Sequence, residues 1–153
     1  MSYEPVKVCE QLGIRVRTLW LRDTWGAWAP QHRTIILADG LTPVQRRCVL
    51  AHEVEHALAG DAVGCGSGPY AERTDVRGQF SLVTIRQEKS ADLQAARKLI
   101  AISDLAEIAQ WHSGEVPAVA SELGVTERML AIRLKDLQGE GWPWHLGRSK
   151  IAG

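Results

Sequence analysis

Two histidines one helical turn apart, in the run His52-Glu53-Val54-Glu55-His56, constrain this chain more than any other feature it carries. On a helix, side chains at i and i+4 leave the same face, so both rings can close on one Zn²⁺. Glu53 lies at the border of that face, within reach of a water held there, which is where a general base has to be. The segment carries the marks of a helix. Thr42-Pro43 offers a capping residue followed by proline at the first helical position, and Gly60 offers the stop. On a 3.6-residue wheel Leu50, Val54, Ala57 and Leu58 form an apolar stripe, while Gln45, Val49, His52 and His56 face a second surface. The plain alternative is two surface histidines on an ordinary amphipathic helix.

A catalytic zinc site has three protein ligands and one open position, so a third donor must come from elsewhere in the chain. The run from Glu88 to Ile100 supplies it best. As a helix it puts Glu88, Ala91, Asp92, Ala95 and Leu99 on one face, with alanines small enough to let a neighbouring helix come close. Asp92, one turn after Glu88, is placed to hold the far nitrogen of a ligand histidine, a contact that fixes the tautomer and raises basicity. A solvated Glu and Asp on an amphipathic helix is the alternative. Their occurrence downstream of the paired histidines favours the metal reading.

The His-Glu-x-x-His pattern is the signature of zinc peptidases, and the chain resembles the ImmA/IrrE family of small zinc metallopeptidases, a gluzincin-like group, over residues 34–137. The resemblance rests on the strand-like Thr34-Ile-Ile-Leu-Ala38, on the run Arg46 to Leu58, and on the pattern Glu-x-x-Ala-Asp-x-x-Ala-Ala-x-x-Leu-Ile that begins at Glu88. It implies His52, His56 and Glu88 as zinc ligands and Glu53 as the catalytic residue. It further implies a zincin-like α+β domain and a regulatory protein substrate, such as a phage or mobile-element repressor. Two positions depart from the family pattern. Glu55 stands where glycine is common just before the second histidine, which adds a negative charge near the site, and Leu99-Ile-Ala-Ile102 replaces a proline-containing end, which predicts that the later helix continues.

At 153 residues the chain is long enough for one sizeable core. Lysine plus arginine equals aspartate plus glutamate at 18 each, so no overall charge argues for nucleic acid or membrane as partner. Cys9, Cys48 and Cys65 are odd in number and widely spaced, which fits neither a disulfide framework nor a paired-cysteine zinc site. They point to a reducing cytoplasm, with Cys48 a buried small hydrophobe rather than a fourth ligand. The absence of a basic start followed by an apolar run, and of any long apolar stretch, argues against export and membrane anchoring.

Three regions are expected: a zincin-like domain over residues 1–102, a helical subdomain over 103–141 and an irregular tail over 142–153. In the first, residues 2–12 read as a short helix. Strands are expected at Ile14 to Leu21, Trp25 to Trp28 and Thr34 to Leu37, forming a small, mostly antiparallel sheet with the tryptophans, Trp28 included, as packing. The glycine-rich stretch from Gly60 to Gln87 reads as a loop, with a further strand at Phe80 to Ile85. Tyr70, His32 and His112 are possible donors to a developing oxyanion, with ordinary surface or packing roles favoured for each. In the second region Ser103 is expected to cap a helix to about Trp111. Ala120, Leu123, Gly124 and Val125 then sit as in a helix-turn-helix, Thr126 caps the next helix, and Arg128, Arg133 and Lys135 lie on a candidate recognition helix. These residues carry the alternative function, a non-proteolytic transcriptional regulator binding DNA or another regulator. Glu122, Glu127 and Asp136 on the same segment weigh against DNA.

Overall fold

In a computed structural model of the protein, residues 2–61 and 82–139 are described, the first three of the second segment by backbone alone. The fold is α+β. Helix α1 spans Pro5–Leu12, and strands β1 (Arg15–Leu19), β2 (Gly26–Ala29) and β3 (Thr34–Ala38) follow it. Helices α2 (Pro43–Ala59), α3 (Leu82–Leu99), α4 (Ile102–Trp111), α5 (Val116–Leu123) and α6 (Glu127–Gly139) complete the described chain. No described helix is long and apolar enough to cross a membrane.

The most apolar strand takes the middle of the sheet. β3, Thr-Ile-Ile-Leu-Ala, lies between β1 and β2, and Ile35 and Leu37 are fully buried against α2. Its pairing with β2 is antiparallel, as expected, through a turn in which Arg33 takes the left-handed conformation (φ 45°). Its pairing with β1 is parallel, so the sheet is mixed. The alternating, largely exposed Arg15-Val-Arg-Thr-Leu19 suits an edge with one face toward water.

Helix α2 begins at a complete capping box. Thr42 Oγ1 accepts from the Gln45 amide at 3.2 Å and the Gln45 side chain accepts from the Thr42 amide at 3.0 Å. Gly60, at φ 72°, ends the helix as its sequence position suggests. The single apolar stripe expected of α2 is replaced by burial all round, because all nine residues from Cys48 to His56 are buried. Val49, Leu50 and Val54 meet the sheet, Cys48 and Ala51 meet α3, α5 and α6, and Leu58 is left half exposed.

Three expectations about the second half need correction. The strand expected at Phe80 to Ile85 is instead the first turn of α3 from Leu82 onward, Phe80 and Ser81 lying outside the described residues. Here the β-branched residues follow the helix that continues from them, their local strand preference being weak and context-dependent. The helix does not run on past Leu99; the chain turns at Ile100 and Ala101 into α4, whose start is capped by no side chain, with Ser103 already inside it. Between α5 and α6, Gly124 sits at φ 67° and Thr126 Oγ1 accepts from the Met129 amide at 3.2 Å, so Thr126 caps α6. α5 and α6 share one core with α2 and α3, in which Val119, Leu130 and Leu137 pack with Ala51, Ala95 and Ala96. The tail from 142, Cys65 and most of the Gly60 to Gln87 stretch lie outside the described residues.

Candidate metal centre

Three donor groups from two helices converge. His52 Nε2 and His56 Nε2 are 3.0 Å apart, His56 Nε2 is 2.9 Å from Glu88 Oε1, and His52 Nε2 is 3.3 Å from Glu88 Oε2. Zn–N bonds of about 2.0–2.1 Å place tetrahedral donors roughly 3.3 Å apart, so the spacing fits three ligands of one small cation. A second observation agrees with this. Among the described residues Glu88 Oε1 is buried without a hydrogen bond of regular geometry, although it lies 2.9 Å from the His56 ring nitrogen. The oxygen has the closeness expected of a ligand shared with the ring nitrogen. The three residues together form a group able to hold a metal ion.

The small residues of α3 make this approach possible. Ala91, Ala95 and Ala96 are almost wholly buried against α2 and its neighbours, so a short carboxylate on the same face reaches rings that are 2 % and 0 % exposed. Each ring is held from behind by its own carboxylate. Asp92 Oδ1 lies 2.8 Å from His52 Nδ1, and Asp61 Oδ2 lies 2.6 Å from His56 Nδ1. A carboxylate only accepts, so each Nδ1–H donates and each Nε2 is left to the centre. Asp92, singled out from its spacing after Glu88, is thus brought to His52. Asp61 was missed, though a signal exists: a residue just after a helix-ending glycine folds back over the last turn, and the Asp61 amide does donate to the His56 carbonyl at 3.1 Å.

The charges follow from this crowding. Burial alone pulls His52 down, but the contacts with Asp92 and Glu88 outweigh it and the ring is pushed up to about 10. Burial also pulls His56 down, and Glu88 and Asp61 raise it above its ordinary value. Burial pushes Glu88 up, yet contact with both rings brings it down to about 2. The cluster is thus built for positive charge at its middle, which a proton or a metal cation supplies.

Glu53 is fully buried, and its charge acts on both rings. It faces β2, where Gly26 provides the room. A Cβ at position 26 would come within 2.5 Å of Val49 Cγ1, 3.2 Å of Glu53 Cγ and 3.3 Å of Glu53 Oε1. Glu55, the departure just before His56, turns the other way and bonds Lys98 Nζ at 2.6 Å. Its charge is neutralised between α2 and α3 rather than added to the cluster.

The remaining candidates lie elsewhere. His112 pairs with Glu122 at 3.6 Å, His32 lies in an exposed groove beside Arg15 and Arg17, and Tyr70 is outside the described residues. Trp28 and Cys48 are buried packing, with Cys48 Sγ accepting from the Thr126 amide at 3.4 Å. Of the three basic residues on the candidate recognition helix, Arg133 is buried and donates to the Ile100 carbonyl and to Asp136, Arg128 is bonded to Asp92, and Lys135 is exposed.

A comparison with curated protein sequences finds no match. The family model described as the IrrE N-terminal-like domain, peptidase M78, matches residues 9–135, a span that takes in the sheet, both helices of the cluster and most of α6, and the chain therefore belongs to that peptidase family.

Proposed function

We propose that the protein is a zinc-dependent endopeptidase in which His52, His56 and Glu88 hold the metal and Glu53 is the catalytic base. The observation that carries this reading is the convergence of two imidazole nitrogens and one carboxylate at 2.9–3.3 Å beside a fully buried glutamate. Zn²⁺ bound there supplies a Lewis acid that acidifies water and polarises a scissile carbonyl. Glu53 takes the proton of the attacking water and delivers it to the leaving amine. Asp92 and Asp61 keep the Nδ1 protons on their rings, so that both Nε2 lone pairs stay directed at the centre. A structural zinc closes its fourth position with a protein ligand; a glutamate beside three donors suits an open one.

The substrate is a protein, as for a peptidase family, and the family resemblance makes it a regulatory one, such as a phage or mobile-element repressor. The two buried thiols, Cys9 and Cys48, suit a cytoplasmic setting. The helical segment 103–141 acts in this scheme as a brace for the catalytic part, residues 1–102. Of the three basic side chains that the DNA-binding alternative relied on, Arg133 is buried, the exposed Arg128 is engaged by Asp92, and Lys135 is exposed.

The test is incubation of the protein with a repressor encoded beside it, followed by mass spectrometry of the products. Wild type is expected to cut at a defined bond. Glu53→Gln is expected to keep one zinc per chain and to cut slower by about 10² to 10⁴, the usual worth of general-base assistance. Cleavage by Glu53→Gln at the wild-type rate would remove Glu53 from the scheme.

A further inference from the structure

Asp92 has a second partner that the metal scheme does not use. Arg128, the second residue of α6, donates from Nη2 to Asp92 Oδ2 at 2.7 Å and from Nη1 to Asp92 Oδ1 at 3.2 Å. Asp92 Oδ1 is the same oxygen that accepts from His52 Nδ1 at 2.8 Å. The guanidinium fork therefore spans both oxygens of the carboxylate that orients one ring of the cluster, a two-point geometry that lysine cannot copy.

An ion pair at the protein surface is ordinarily worth about 0–1 kcal/mol, because two long side chains must be ordered to make it. Here the ordering is done by other contacts. The Arg128 side chain is 67 % exposed, but its partner Asp92 is 15 % exposed and already engaged by His52. The backbone just before Arg128 is tied to α2 at two points: Arg47 Nη1 donates to the Gly124 carbonyl at 2.8 Å, and the Thr126 amide donates to Cys48 Sγ at 3.4 Å. Farther along α6, Asp136 accepts from both Arg97 of α3 and Arg133. The start of α6 is thus fixed in register with α2 and α3 before the Arg128 side chain is considered.

We infer that Arg128 is a positioning residue of the metal centre, acting through Asp92 on His52 and making α6 part of that centre's support. The inference rests on the metal reading above. Without the fork, Asp92 keeps among the described residues its bond to the ring but loses the second anchor that fixes its plane, so the geometry at His52 Nε2 loosens.

The test is zinc release into excess chelator, with the visible absorption of the Co²⁺-loaded protein as a reporter of ligand geometry. Arg128→Gln and Arg128→Lys are made in the wild-type chain and in Asp92→Ala, and thermal unfolding of the metal-free forms tracks the fold. Loss of an outer partner of a ligand costs about 10- to 100-fold in metal affinity. One contact farther out, Arg128→Gln is expected to release zinc about 3- to 10-fold faster, with a changed cobalt spectrum. Arg128→Lys is expected to restore only part of this, and neither change is expected to add anything in Asp92→Ala. Unchanged release and spectrum in Arg128→Gln, full restoration by lysine, or the same factor in the Asp92→Ala background would each overturn the inference. A wild-type protein that binds neither zinc nor cobalt would overturn the metal reading instead.

Discussion

The two histidines of the cluster are supported in different ways. His56 is held from behind by Asp61, five residues away, at the end of its own helix. His52 is held by Asp92, forty residues away on α3, which is in turn gripped by Arg128 on α6. One support is built by the closing turn of a single helix and the other by three helices packed together. A local contact forms whenever α2 ends correctly at Gly60. The long-range contact exists only when α3 and α6 are both docked, so the His52 side of the cluster is the side on which the rest of the fold can act.

The largest effect expected is from the donors themselves. His52→Ala, His56→Ala and Glu88→Ala should each leave less than one zinc per chain after purification without added metal, because each removes one of the three donors that converge among the described residues. Full retention in any of them would show that the donor was misassigned and would void the comparison at its root.

Next in size is the effect of pH. Each ring must lose its Nε2 proton to serve as a ligand, and in the metal-free protein His52 holds its own up to about 10. Zinc affinity should therefore rise with pH across the range from 6 to 9, by up to about tenfold per unit for each proton displaced, with proton release measurable by calorimetry in buffers of different ionisation enthalpy. The metal-free fold has the opposite dependence on His52. A raised histidine adds stability that is full below about 6.5, its unfolded value, and is lost as pH rises through about 10. The lowered Glu88 adds stability that is present above the ordinary glutamate value and is lost as pH falls toward about 2. Affinity independent of pH would show that protons do not compete for this site.

A direct measure of the comparison itself is the pair Asp92→Ala and Asp61→Ala. Each should weaken zinc binding by about 10- to 100-fold in a chelator competition. The two should differ in how they respond to Arg128. Adding Arg128→Gln should further weaken Asp61→Ala and leave Asp92→Ala where it was. Equal responses would mean that the two supports are not separate.

The smallest expected effect on the metal is from Gly26→Ala. The new methyl group meets Val49 and the Glu53 side chain, and overpacking of this kind typically costs about 1–3 kcal/mol. Denaturant unfolding should show that loss, with zinc affinity close to wild type because the change lies on the sheet side of α2. A large fall in affinity would show that β2 also sets the position of the rings.

Much of the cluster was legible in the sequence because it obeys helix periodicity. His52, His56 and Glu53 share a turn of α2, and Glu88 and Asp92 share a turn of α3, so the spacing alone placed each set on one face. The starts and stops were legible for the same reason: Thr42-Pro43, Gly60, Gly124 and Thr126 act through contacts within a few residues. The beginning of α3 was misread because its β-branched residues carry a strand-like pattern, which the helix they lead into outweighs. The parallel pairing of β1 was not legible either, since an alternating strand fits a parallel or an antiparallel neighbour, and the choice falls to whichever strand buries the most apolar surface at the centre.

What the sequence determined by itself about this protein is the set of groups available for chemistry and the helical turn on which each sits, because both follow from contacts of range five or less. Tertiary structure alone decided which way each group faces and what stands behind it. Glu55 turns away from His56 to Lys98, Arg128 on the candidate recognition helix reaches Asp92, and Gly26 opens the space that Glu53 and Val49 fill. Those outcomes depend on residues 23 to 43 positions apart in the chain, brought together by packing; a periodic pattern specifies the face of a helix, and only packing specifies the neighbour that the face meets.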